Sequence, residues 1–498
     1  GNDASISTPA IFSNSNTMVV DGGASDAAKR SSELIQSFAN NNADPSQTVG
    51  VAPTLQDYLN AGVTGISADK VALINNALAG ANIGSVEVDT FVELQVLVNA
   101  YIGLLDLGDG VENTPTANNP GFAQYGLLGI TGVRNNTHAG LLGDVIDTKN
   151  KTDIDTVPKI QALADAVSAV LDAAKGVSGV TSTQLNLLGL GNVTDDNLPA
   201  VFRAISNTAD NGAGVDTWTE LQNAVNTAVF NASQAMAILV DFAEQNNAGL
   251  SPNTAGYVGT TPTLATYLNA GVAMIGGNQV GAINDALATQ PVDGVHVNTS
   301  AKLQAVADAY LAVIGLADGF GNTLSHTAVT QNQFAQIGVS GLDPNAAVTA
   351  HKITLLNDVI DRKVYNDIDT VYEIQTLLDH VSTLLDTAAG SNALTLAQLS
   401  ALGFDNVTVN TLPDVIAAIQ ATATDGSDVD TFAELSTVIS NRLVDIQNAL
   451  NAISQFAQAN TLPAPHLPIG VTPTTGDYAA AGVHGVTASN LALINDAL

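Results

Sequence analysis

One short pattern, Tyr58-x3-Gly62-Val63-x2-Ile66, limits what this chain can fold into, because it returns six more times. The later copies are Tyr125/Gly129/Ile130/Val133, Leu185/Gly189/Leu190/Val193, Tyr267/Gly271/Val272/Ile275, Phe334/Gly338/Val339/Leu342, Leu399/Gly403/Phe404/Val407 and Tyr478/Gly482/Val483/Val486. A second landmark follows six of the seven: Asp89-Thr90, Asp155-Thr156, Asp216-Thr217, Asn298-Thr299, Asp369-Thr370 and Asp430-Thr431. The separation from Gly to Asp or Asn is nearly constant, and only the step from Gly338 to Asp369 is appreciably longer. Self-similarity of this kind is how arrays of small supersecondary units read in sequence.

Each unit has a physical logic. Gly62 stands where a helix ends in a left-handed residue, a conformation glycine adopts without a Cβ penalty. Ser67 reads as the N-cap of a second helix, with Ile66 and Val71 as a hydrophobic staple. Val71, Ile74 and Leu78 then mark one apolar face. The third helix opens with a capping box, Thr90-x-x-Glu93, repeated as Thr217/Glu220, Thr370/Glu373 and Thr431/Glu434. Lys159 and Lys302 replace the glutamate in the other two copies, leaving only the cap oxygen. Behind the cap, Phe91, Leu94, Val98, Tyr101 and Leu105 form a buried stripe. The unit predicts a small three-helix bundle, and the chain an all-α tandem array of them.

The units group in threes. Tyr58, Tyr267 and Tyr478 are almost evenly spaced, and Gln184-Leu185 recurs at a similar step as Gln398-Leu399. A super-repeat of roughly 210 residues therefore holds three unlike bundles. The expected organisation is an N-terminal arm at 1–24, a partial helical unit and linker at 25–52, and super-repeat 1 at 53–247. A linker at 248–261, super-repeat 2 at 262–459, a linker at 460–472 and the start of super-repeat 3 at 473–498 follow. In the arm, Ala10-Ile11-Phe12 and Thr17–Val20 flank a Ser/Asn turn and predict a hairpin or extended segment. Phe38-Ala39 matches Phe242-Ala243 and Phe456-Ala457, so residues 25–40 read as the back half of a third-type helix.

Charge narrows the function classes. Lys and Arg number 14 against 47 Asp and Glu, a net −33, which repels nucleic acid and anionic membrane surfaces. Cysteine is absent from the sequence, which removes disulfide and thiolate chemistry. No apolar run reaches the ~18–20 residues of a membrane span. Residue 1 is Gly rather than Met, which predicts a processed, tagged or internal start.

Ala61-Gly62-Val63, Ala72-Leu73-Ile74-Asn75-Asn76-Ala77 and the capped helix through Val92–Ala100 together resemble the GA-like, albumin-binding-type three-helix modules of bacterial surface proteins. The tandem layout, acidity and lack of cysteine are similar to the stalk repeats of large adhesins. This resemblance implies a cell-surface location and a non-enzymatic role. The inter-helix loops here are longer and the first helix shorter, so no albumin-contacting residue carries over.

Acidic loops before the third helices are the main candidates for chemistry. Asp210 with Asp216, and Asp425 with Asp428 and Asp430, offer closely spaced oxygens of the kind that ligate Ca²⁺. The competing reading is that these carboxylates cap helices and meet their dipoles. The seven histidines show no metal-ligand spacing, and His138 and His351 stand at similar places near the start of second helices. Trp218 follows the cap Thr217 where Phe91 and Phe432 follow theirs, which predicts core packing. No phosphate loop or nucleophile elbow is present. The sequence therefore predicts a non-enzymatic, extracellular structural repeat protein, an adhesin stalk or filament subunit. The alternative is a binding module that recognises a host protein or glycan through one face of each unit. Because Leu491, Ile494 and Leu498 lack a following third helix, the reading also expects continuation in a longer chain or head-to-tail self-association.

Overall fold

The structure is a computed structural model that describes residues 26–43, 50–80, 82–245, 259–321, 327–460 and 470–498. The expected arm at 1–24, most of the linkers at 248–261 and 460–472, and His326 and His466 lie outside the described residues. Among the described residues the protein is all-α: helices and short 3₁₀ turns, with no strand.

The first helix of each copy is only about two turns long and is specified at both ends. Thr54 starts Leu55–Asn60 by accepting from the Asp57 amide, while the Asp57 carboxylate accepts from the Thr54 amide at 2.8 Å. Thr181/Gln184, Thr330/Gln333, Thr395/Gln398 and Thr474/Asp477 repeat this box. At the other end the amide of Val63 donates to Tyr58 O and that of Gly62 to Leu59 O, the paired bonds of a Schellman stop. The longer of these bonds recurs from Ile130, Leu190, Val272, Val339, Phe404 and Val483, always to the residue five positions back. The glycine it spans has φ between 71° and 117° in all seven copies, which explains why each copy carries glycine there. The site is also tight. A Cβ on Gly62, Gly189 or Gly403 would lie 3.1–3.3 Å from the ring of Phe91, Trp218 or Phe432. Trp218 is thus a buried packing residue, as its position after the cap predicts.

The third helix is tied back to this turn. Gln95 accepts from the Thr64 amide at 2.8 Å and donates to Thr64 O at 3.1 Å. Gln161 with Thr131, Gln304 with Ala273, and Gln375 with Ser340 make the same two bonds. A glutamine amide carries an acceptor and donors in one plane, so it pairs with a backbone residue much as a neighbouring strand would.

The chain divides into two compact units. The first takes in the described residues up to 234 together with 269–271, and one contiguous core runs through it from Ile35 to Ala228. Tyr58, Tyr101 and Tyr125 are fully buried there. Helix Asp26–Ala43 contributes Ile35, Phe38 and Ala39 to that core, as the match to Phe242-Ala243 predicts. The second unit takes in 235–268 and 272–498 of the described residues and buries Tyr267, Tyr310, Phe334 and the Ile374–Leu385 stripe of helix Val371–Ala388. Within it, Ile283 is fully buried, whereas Leu491 and Ile494 are half-buried and Leu498 is exposed. Ser67 does begin helix Ala68–Leu78, but its hydroxyl bonds the Asp69 carboxylate instead of capping an amide.

Candidate functional site

A recurring long-range side-chain chemistry lies on the second helices, in a dipeptide of Asn followed by Asn or Asp. Its first member holds its own unit. Asn75, on helix Ala68–Leu78, accepts from the Tyr58 hydroxyl at 2.6 Å and donates to Pro53 O at 2.8 Å. Tyr267–Asn284–Pro262 and Tyr478–Asn495–Pro473 are the same relay. Asn357 instead grips both the amide and the carbonyl of Val329.

The second member reaches further along the chain. Asn76 accepts from the Val157 amide at 2.7 Å, the first residue of helix Val157–Ala174. Asp285 accepts from the Val371 amide at 2.6 Å, and Asp358 from the Phe432 amide at 2.9 Å, each again opening a third helix. Asp144 does the same for Trp218 at 3.1 Å, although the residue before it is Gly143. Each bond satisfies a donor that the helix itself leaves open and sets a negative or polar oxygen at the positive end of the dipole. Asp144 and Asp147 are almost fully buried, and both carboxylates are met by donors. Thr116 and Asn119 turn to Asp144, while the amides of Asn113 and Thr114 turn to Asp147.

No family model, curated protein or solved structure matches this chain.

The acidic loops are built alike, but in a register that the Asp pattern alone does not give. Asn211 aligns with Asp425, since each side chain accepts from the amide two residues on, at 3.0 Å. Gly212 and Gly426 follow with φ of 89° and 85°. Asp210 is exposed, while Asp428 folds back to accept from the Ala423 amide at 2.9 Å. Asp430 lies 2.5 Å from Nδ1 of His351, so His351 and Asp358 on helix Val348–Ile360 both hold the start of Phe432–Ala459. Asp216 has Glu220 beside it. Its carboxyl is pushed above the usual range, first by burial and then by that second carboxyl. Asp425 is held below the usual range by the amide and hydroxyl of Ser427. The five carboxylates that the sequence offers as calcium ligands are therefore spread over two loops. Among the described residues no group of three or more His, Asp or Glu is placed to share a metal ion.

The capping glutamate and its lysine replacement work differently. Glu93 accepts from the Thr90 amide, whereas Lys159 turns its ammonium to Asp155 at 2.5 Å and to Thr152 O at 2.7 Å. Lys302 bonds Asn298 and Val295 O in the same way. The threonine cap oxygen is kept in both versions. His138 is buried with Nδ1 against Asn135, its own helix cap, and burial lowers its pKa, so the ring serves the start of its own helix as a neutral imidazole. No helix among the described residues is long and apolar enough to cross a membrane.

Proposed function

We propose that the protein is a non-enzymatic structural repeat protein of the cell exterior, an adhesin stalk or filament element. In this reading it is a tandem array of three-helix bundles, three to a super-repeat, like the GA-like modules and stalk repeats its sequence resembles. The observation that carries the proposal is the bond from a second helix to the first amide of a later third helix: Asn76 to Val157, Asp144 to Trp218, Asp285 to Val371 and Asp358 to Phe432. The two members of each pair lie 74–86 residues apart, so in this reading each bond joins one bundle to the next. A chain that repeats a long-range bond fixing neighbour to neighbour is built for mechanical continuity. The acidic loops then serve as helix starts, and melting is expected to be unchanged by calcium or by chelator.

Single-molecule stretching tests this. The expected trace is a series of unfolding events, each releasing about one bundle's length of chain, because stability in such arrays is a sum over neighbours. A single all-or-none event, or a particle shown by electron microscopy to be one closed globule, would overturn the proposal.

A further inference from the structure

The two units treat one groove differently. In the second, Tyr365 lies in the 3₁₀ turn Tyr365–Asp367, and its hydroxyl donates to Asn278 O at 2.7 Å. Burial raises the Tyr365 pKa, as expected for a ring laid against protein. The first unit has Lys151 at this place, in the 3₁₀ turn Lys151–Asp153, four positions before Asp155 as Tyr365 is four before Asp369. Asp69 stands where Asn278 does, each eleven positions beyond the buried tyrosine of its copy, Tyr58 or Tyr267. With no ring in place, the first unit has a recess of about 230 Å³ between Asp69, Lys70, Leu73, Leu105, Lys151 and Asp155.

The walls of that recess suit one kind of guest. Leu105 belongs to the core and Leu73 packs half-buried against it, which gives the recess an apolar floor. Lys151 has its ammonium 3.7 Å from Asp106 and its side chain 62% exposed, and it borders the recess. Lys70 also lines the recess, and these are two of only 14 basic residues in the chain. A ring seated on the leucines would have an ammonium near its face or edge and a helix-start carbonyl within reach of a hydroxyl.

We propose that this recess is a binding site for a phenolic ring, the tyrosine side chain of another polypeptide, held as Tyr365 is held within the second unit. The hydroxyl donates to Asp69 O, the ring lies on Leu73 and Leu105, and Lys70 and Lys151 flank it. The inference does not depend on the stalk reading, because it rests on the difference between the two units and not on their repetition.

Saturation-transfer NMR on the full chain with N-acetyl-tyrosinamide tests it. Saturable binding is expected with the unaltered protein, and a loss of at least tenfold in affinity with Lys151→Tyr, which supplies the ring from within as in the second unit. Tyr365→Ala should instead add a second equivalent of bound probe. N-acetyl-phenylalaninamide should bind more weakly, since it lacks the donor. Lys151 is exposed, so its replacement leaves folding intact, which circular dichroism checks. Should Lys151→Tyr bind the probe as well as the parent, or should the parent show no saturable binding, the site is wrong. Equal binding of the two probes would overturn the role given to the hydroxyl.

Discussion

Ala200 and Ala228 in the first unit correspond to Asp414 and Arg442 in the second, by the same step that takes Gln184-Leu185 to Gln398-Leu399. Both alanines are buried, at 6% and 7% exposure. The replacements are largely buried as well: Arg442 donates to Asp414 at 2.7 Å, with side chains 19% and 9% exposed. The neighbourhoods match. A Cβ on Gly271 would meet Ala200 N at 3.1 Å, and one on Gly482 would meet the Asp414 carboxylate at 2.5 Å. One joint is therefore closed by small apolar side chains against backbone, and its homologue by an ion pair in the same space. Since a buried pair repays little more than its own desolvation, the contrast teaches that the fold closes this joint with or without the charge. What the pair adds is directional, because Arg442 also leans toward Ala479 O at 3.5 Å.

The largest effect is expected from breaking that pair on one side. Asp414→Ala strands Arg442 in a buried site and should cost about 3–5 kcal/mol, whereas the Asp414→Ala/Arg442→Ala double variant should fall close to the parent. Urea denaturation of the two single variants and the double one closes the cycle. If the double variant is as unstable as Asp414→Ala, the two joints are not equivalent.

Next in size are the carboxylates that hold third-helix amides. Asp144→Ala leaves the Trp218 amide and the donors of Thr116 and Asn119 without their acceptor in a buried place, which should cost about 1–3 kcal/mol. Asp358→Ala, at the corresponding but half-buried position, should cost less. Hydrogen exchange at the Trp218 and Phe432 amides measures each directly. Equal protection in both variants and the parent would show that the bonds carry no weight.

Those carboxylates also mark the limit of what the sequence makes legible. The helices, their glycine stops and their threonine caps can be read because each depends on residues three to five apart. Helix Asp26–Ala43 is legible from Phe38-Ala39 alone. The Asn75-Asn76, Asn284-Asp285, Asn357-Asp358 and Asn495-Asp496 pairs are visible as a recurring dipeptide, three of them at one fixed distance beyond Tyr58, Tyr267 and Tyr478. Their partners are not visible, because a bond spanning 74–86 residues leaves no local spacing. The acidic loops mislead in the other direction. Counting aspartates groups Asp210 with Asp425, while backbone geometry matches Asn211 to Asp425, since Asn and Asp present the same acceptor to an amide two residues on.

A smaller and local effect is expected at the caps. Thr217→Ala removes the oxygen that accepts from the Glu220 amide at 3.3 Å and should cost about 1 kcal/mol. The same change at Thr156, where Lys159 cannot complete a box but holds Asp155 instead, should cost a similar amount, because the cap oxygen is common to both. Chemical denaturation followed by Trp218 fluorescence separates a local from a global loss, since Trp218 is the only tryptophan. A cost at Thr217 well above that at Thr156 would mean that the glutamate, and not the threonine, carries the box.

The smallest effect distinguishes the two acidic loops by sign. Asp216 titrates above the usual carboxylate range, chiefly through burial and the neighbouring Glu220. A carboxyl whose pKa rises on folding stabilises the folded state while protonated, so that contribution is complete below the unfolded value and is lost as pH rises through the folded one. Asp425 is shifted downward by its bonds from Ser427, so its contribution is present above the ordinary value and is lost as pH falls. Mild acid should therefore favour the start of helix Trp218–Gln245 and weaken the turn before Phe432–Ala459. Asp216→Asn isolates the first half of this, and asparagine already stands at the equivalent position 298. The stability of the parent relative to Asp216→Asn, read from Trp218 fluorescence, should fall as pH rises above the ordinary aspartate value of about 4. The parent relative to Asp425→Asn should show the opposite slope, as pH falls below that ordinary value, read from amide exchange at Ser427. Two slopes of the same sign would mean that the loops, alike in backbone, are also alike in charge, and that Glu220 has no hold on Asp216.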